Sequence, residues 1–164
     1  MSIDVKGVKM NVYDYAMKVE KDGEAYYKEL ASKSPNVGLK RVFNLLADAE
    51  VKHYNVFKSM RDKDGQDFKT LDISTDTKTI FETLTAEKNS VDFNLDEIKF
   101  YEDAIKREDD SHKFYVTKAL ELENEDEKAI FMKIAQEEIK HKAILEDILA
   151  FIQEPTNWVG SAEF

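Results

Sequence analysis

Residues 13–53 of this chain recur, without a gap, at 101–141. A displacement of 88 positions places Glu20 on Glu108, Glu50 on Glu138 and His53 on His141. Over those 41 positions 14 residues are identical: Tyr13, Ala16, Lys18, Glu20, Asp22, Tyr27, Ala31, Asn36, Lys40, Phe43, Ala47, Glu50, Lys52 and His53 all return. That is more than a Lys/Glu-rich composition produces by chance. An internal repeat fixes architecture before any single element is assigned, because both copies must fold alike and bury their apolar faces. Here each copy also carries one lone Glu and one Glu-x-x-His.

The rest of the composition narrows what the repeated unit is. With 164 residues the chain is one domain of ordinary size, long enough for a real core. Only 5 Gly and 2 Pro interrupt it, which favours long helices. The net charge of −10, with no basic patch to offset it, argues against nucleic acid or an anionic membrane as partner. There is no cysteine, so disulfides, Cys zinc sites, iron–sulfur clusters and thiol catalysis are excluded. The N-terminus lacks the apolar core of a signal peptide, and no run of 18 apolar residues exists. The expected compartment is the cytoplasm.

Four long amphipathic segments are predicted: Val8 to Ser34, Val37 to Asp62, Leu95 to Leu122 and Asp126 to Glu154. Ser34-Pro35-Asn36, Asp64-Gly65 and Pro155 supply stop signals. Short connections make each pair an antiparallel hairpin. The chain between the hairpins, about residues 64–94, is a long crossover with one short helix around Thr79 to Leu84. It is expected to run from one end of the bundle to the other, so that the second hairpin repeats the direction of the first. Residues 1–154 then form the bundle. Residues 155–164 form a tail whose Trp158 packs on the bundle or on a partner subunit.

Steps of three and four along each segment define the faces that look inward. The first reads Tyr13, Ala16, Glu20, Gly23, Tyr27, Leu30, and the second Leu39, Phe43, Leu46, Glu50, His53, Phe57, Met60. The third reads Tyr101, Ala104, Glu108, Ser111, Tyr115, and the fourth Phe131, Ile134, Glu138, His141, Leu145, Ile148. Each is apolar except in its middle. A buried, unpaired carboxylate costs several kcal/mol, and four in one layer also repel one another. The seams offer no Lys or Arg there, only two His. Two divalent cations would neutralise four carboxylates. A single Glu-x-x-His is commonplace on a charged helix surface. Two at matched repeat positions, each with a lone Glu one helix earlier, point instead to a two-metal carboxylate bundle.

The segments that carry the pattern are Ala16-Met17-Lys18-Val19-Glu20-Lys21-Asp22-Gly23-Glu24-Ala25-Tyr26-Tyr27 with Ala49-Glu50-Val51-Lys52-His53. Their counterparts are Ala104-Ile105-Lys106-Arg107-Glu108-Asp109-Asp110-Ser111-His112-Lys113-Phe114-Tyr115 with Glu138-Ile139-Lys140-His141. In them the chain resembles the ferritin-like superfamily, and within it the rubrerythrin-type diiron proteins. The resemblance covers nearly the whole chain. It implies an all-α, ferritin-like four-helix bundle that holds two iron ions and reacts with peroxide or dioxygen. It also shows departures. Rubrerythrins proper carry a further carboxylate where this chain has Ser111, which predicts slower peroxide turnover. Their four-cysteine rubredoxin-like module is missing, so a separate electron donor protein is expected. Val51 stands where bacterioferritins have a haem-ligating Met, so no haem is expected.

The candidate metal ligands are therefore Glu20, Glu50, His53, Glu108, Glu138 and His141. Glu20 and His53 favour one ion, Glu108 and His141 the other, and Glu50 and Glu138 bridge. The donors suit iron and manganese alike. Tyr27 and Tyr115, seven residues beyond the lone Glu residues, are placed to hydrogen-bond and orient a ligand carboxylate, or else are ordinary core tyrosines. Gly23 and Ser111 either leave room for dioxygen or peroxide or serve close helix packing. His112 reads as a partly exposed helix residue rather than an outer partner of a ligand or a proton carrier. The leading function is a diiron oxidoreductase. The alternatives are iron handling without efficient turnover, and a metal-free interaction bundle. A homodimer is expected by analogy alone.

Overall fold

The computed structural model describes residues 1–87 and 97–161, the side chains of 154–161 excepted. Strands β1 (Ser2–Val5) and β2 (Val8–Asn11) precede helices α1 (Val12–Lys33) and α2 (Val37–Asp62). A 3-10 turn at Phe68–Thr70 and helix α3 (Thr77–Glu87) follow, then α4 (Ile98–Glu121) and α5 (Glu125–Ser161). No helix among the described residues is long and apolar enough to cross a membrane.

The repeat explains where the hairpins turn. Asn36 and its copy Asn124 both cap the second helix of their pair. The Asn36 side chain accepts from the Leu39 N–H at 2.9 Å, and that of Asn124 from the Asp126 and Glu127 N–H groups at 2.9 and 3.1 Å. Such a cap satisfies donors that the first helical turn leaves orphaned, for about 1 kcal/mol each. The expected start of the third helix at Leu95 lies outside the described residues.

Two boundaries differ from the sequence reading. Val8 to Asn11 is not helix: it pairs antiparallel with Ser2 to Val5, Ile3 facing Met10. Lys6 and Gly7 turn the hairpin with φ of 52° and 83°. A two-residue turn of that type needs left-handed backbone at both positions, which Gly7 adopts freely. The helix therefore begins at Val12, with the Asn11 side chain accepting from the Tyr13 N–H at 2.8 Å. At the other end α5 continues through Pro155 to Ser161. A proline removes one helical hydrogen bond, yet its φ near −65° is itself helical, so it weakens a helix without always ending it. The expected packing of Trp158 lies outside the described side chains.

Helix α1 packs on α2 and α4 on α5, while α1 meets α4 and α2 meets α5 across the bundle. The second hairpin does not repeat the direction of the first. Tyr15 packs on Phe114 and the Tyr26 hydroxyl donates to the Phe100 carbonyl, so contacts climb α1 as they descend α4. The crossover starts α4 at the end of the bundle where α2 began. That makes α4 parallel to α2 and antiparallel to α1. The two copies are thus related by a local two-fold across the helices. The ring pair Phe43–Tyr101, with centroids 5.9 Å apart, is the repeat image of Tyr13–Phe131 at 6.2 Å.

The core lies in two apolar halves. Phe43, Leu46, Ile80, Tyr101, Leu145 and Ile148 anchor one, and Val56, Phe57, Tyr115, Phe131 and Ile134 the other. Each such side chain contributes about 1.5–3 kcal/mol on burial. Between the halves sits one polar layer.

Candidate metal centre

That layer consists of the six side chains singled out by the repeat. Glu20 comes from α1, Glu50 and His53 from α2, Glu108 from α4, and Glu138 and His141 from α5. The i,i+3 spacing puts the members of each Glu-x-x-His pair on one helical face. All six are buried, none more than 5% exposed. They form two overlapping groups, Glu20–Glu50–His53–Glu138 and Glu50–Glu108–Glu138–His141, each with one donor atom per residue within 4.8 Å of the others. Glu50 and Glu138 belong to both.

Contacts between the copies close each group. His53 Nδ1 lies 3.4 Å from Glu20 Oε2 and 3.2 Å from Glu138 Oε1. His141 Nδ1 lies 3.1 Å from Glu50 Oε1 and 3.7 Å from Glu108 Oε2. The imidazoles stack, 5.8 Å between centroids and 12° from parallel.

Outer hydrogen bonds fix which atoms face inward. His53 Nε2 is 2.9 Å from the Ile73 carbonyl, which only accepts, so Nε2 carries the proton. Thr75 Oγ1 donates to Glu137 Oε2 and therefore accepts from His141 Nε2, each at 2.8 Å. With Nε2 so engaged, the atom either imidazole turns toward the carboxylates is Nδ1, whose lone pair is the one a metal would take. Glu20 Oε2, Glu50 Oε1, His53 Nδ1, Glu138 Oε1 and His141 Nδ1 are buried without a hydrogen-bond partner. A native interior leaves only a few such atoms scattered through it, because each costs about 1–3 kcal/mol. Five converging on one layer fit a cation, and the oxygen and imidazole donors fit a divalent metal.

Without a cation the layer holds protons instead. Burial, and then the neighbouring carboxylates Glu138 and Glu20, push Glu50 well above the usual carboxylate value. Burial, and then Glu20 and Glu108, do the same to Glu138. Burial opposes a charged His53, but Glu138 and Glu20 beside it outweigh that and raise it well above 6.5. Burial also acts on Glu20, yet the Glu50 and His53 side chains hold it below 4.5.

The tyrosines reach across the two-fold. The Tyr27 hydroxyl donates to Glu108 Oε1 and the Tyr115 hydroxyl to Glu20 Oε1, each serving the other copy's lone Glu. Burial first, then the adjacent carboxylates, raise both phenols well above 10, so they stay protonated donors. Gly23 resolves in favour of close packing: a Cβ there would lie 3.1 Å from Glu50 Cδ and Oε2. The Glu50 carboxylate fills the space. Ser111 is half-buried on α4. His112, also half-buried, contacts the Ala135 carbonyl through Nδ1 at 2.8 Å and ties α4 to α5 outside the layer.

Sequence reasoning missed Ile73, Thr75 and Glu137. The crossover has a second task, holding the outer nitrogen of each histidine. Buried Glu137 adjoins Glu138, but its repeat counterpart is Ala49, so the repeat gave no sign of it.

A family model described as Rubrerythrin matches residues 11–149. No curated protein and no solved structure matches the chain.

Proposed function

The chain belongs to the rubrerythrin family, and we propose that its six-residue layer holds two iron ions and reduces peroxide, or more slowly dioxygen. The observation that carries this reading is the set of five orphaned donor atoms aimed into one buried layer. Glu20 and His53 would hold one ion, Glu108 and His141 the other, with Glu50 and Glu138 shared between the two groups. Two ferrous ions bound there would supply the two electrons that, with two protons, take hydrogen peroxide to two waters. Tyr27 and Tyr115 orient the terminal carboxylates and keep one oxygen of each from swinging away. The Ile73 carbonyl and Thr75 lock the imidazole tautomers. The apolar halves above and below exclude water and strengthen every charge interaction between them.

The chain has no cysteine and so offers no iron–sulfur, rubredoxin-type or thiol electron carrier. A separate donor protein therefore restores the ferrous state. Manganese suits the same donors. A second reading, iron binding without efficient turnover, is favoured by Ser111 at the position of the extra family carboxylate. Anaerobic stopped-flow mixing of the ferrous-loaded protein with peroxide separates the two. Oxidation faster than that of free ferrous ion, repeated when an artificial donor is supplied, supports the enzyme. A single oxidation with ferric iron retained supports handling. Oxidation no faster than free ferrous ion sinks the redox reading.

A further inference from the structure

The two copies match in all six layer residues and in both tyrosines, so the layer is nearly symmetric by construction. The outer partners of the two histidines break that symmetry. His53 Nε2–H meets a neutral acceptor, the Ile73 carbonyl, at 2.9 Å. His141 Nε2–H meets Thr75 Oγ1, and Thr75 is anchored on Glu137 twice. Its hydroxyl and its backbone N–H both donate to Glu137 Oε2, each at 2.8 Å. Thr75 and Glu137 are both buried, and the remaining Glu137 oxygen faces Lys140. Among the described residues the first copy shows no equivalent, and Ala49 occupies the place of Glu137. Gly23 and Ser111 also differ between copies, but Gly23 abuts Glu50, which both groups share.

A histidine whose outer N–H is drawn toward a carboxylate is a more basic and better-oriented metal ligand than one bonded to a neutral carbonyl, and outer partners of this kind are worth about 10–100-fold in metal affinity. We infer that Thr75 and Glu137 form a positioning relay that makes the Glu108/His141 position the tighter of the two metal positions and the first to fill. The hydroxyl passes the pull inward: it accepts from the imidazole while donating to Glu137. The crossover thereby does more than join two hairpins. It sets the order in which they take metal.

This rests on the two-metal reading of the layer, and cobalt(II) titration tests it without turnover. The wild-type protein should take two cobalt ions in two steps, the first at least about tenfold tighter. Thr75→Val keeps the side-chain shape and the backbone bond to Glu137 but removes the hydroxyl. It should weaken the first step about 10–100-fold and leave the second unchanged. Glu137→Gln should do the same in smaller measure, and Thr75→Ser should restore the wild-type pattern. In a His53→Ala background, which leaves the Glu108/His141 position, Thr75→Val should weaken the remaining ion. In a His141→Ala background it should not. The cobalt-shifted imidazole N–H resonance of His141 should also exchange faster with solvent in Thr75→Val. A general packing defect would weaken both ions alike and would not spare the His141→Ala background, so that result overturns the inference. Two cobalt ions in the wild type with an unchanged Thr75→Val titration overturn the relay and leave the two-metal reading standing. No cobalt uptake by the wild type overturns both.

Discussion

Replacing Tyr27 with Phe removes one hydroxyl from the centre of the bundle and changes almost nothing else. The Tyr27 ring is buried against the imidazole of His141, with centroids 6.2 Å apart, and Phe keeps that contact. What disappears is the donor to Glu108 Oε1. A hydrogen bond to a charged group is worth about 1.5–3 kcal/mol, and a buried acceptor left bare costs a similar amount. In a chain of this size about 2 kcal/mol lowers the melting temperature by about 4–8 °C. Metal affinity should fall as well, because Glu108 is then free to rotate, by about 10–100-fold. Tyr115→Phe strips the donor from Glu20 Oε1 and should give a matching loss through the two-fold. The double variant should deviate from additivity, since both carboxylates belong to one charged layer. Denaturant melts and ferrous-ion titrations of the two single variants and the double measure this. Single variants within about 0.5 kcal/mol of wild type, the range of an ordinary surface change, would refute the orienting role of the hydroxyls.

The metal-free protein should lose stability as pH climbs above the ordinary carboxylate value of 4.5. Folded Glu50 and Glu138 hold protons there that the unfolded chain releases, and His53, raised above 6.5, extends the loss through neutrality. Glu20, held below 4.5, acts oppositely and adds a loss on strong acidification. A metal-free melting temperature flat from pH 5 to 8 contradicts this account, and metal should raise stability most at the upper end. Gly23→Ala sets a Cβ 3.1 Å from the Glu50 carboxylate. Ala's helix propensity offsets most of about 1 kcal/mol of overpacking, so the melt should move little. Metal affinity should fall at least about tenfold as Glu50 shifts, and unchanged titrations would sink that expectation. Ser111→Glu adds a carboxylate one turn beyond Glu108. It should speed peroxide oxidation of the ferrous protein and lower metal-free stability, and a rate no faster than wild type would count against Ser111 as the limiting departure.

The bundle and the convergence of its six central side chains were legible because both are written twice. Seam periodicity placed Glu20, Glu50, His53, Glu108, Glu138 and His141 inward, and no Lys or Arg stood nearby to pair them. The N-terminal strands were less visible. Two four-residue strands joined by Lys6-Gly7 carry little periodic signal beside a 22-residue helix. The direction of the second hairpin depends on where the crossover lands, which residue patterns within the helices do not encode. Thr75 and Glu137 lay hidden for a similar reason. A threonine in a loop and a glutamate in a charged helix look like surface residues until the fold brings them together.

Elemental analysis of the loaded protein tests the central claim most directly. After anaerobic loading with ferrous ion and removal of excess, the six-residue layer should retain about two iron ions per chain, as expected of a two-metal site. The joint variant Glu50→Ala/Glu138→Ala, which removes both shared carboxylates, should retain none. A single tightly held zinc, or no metal retained by the wild type, would contradict the account.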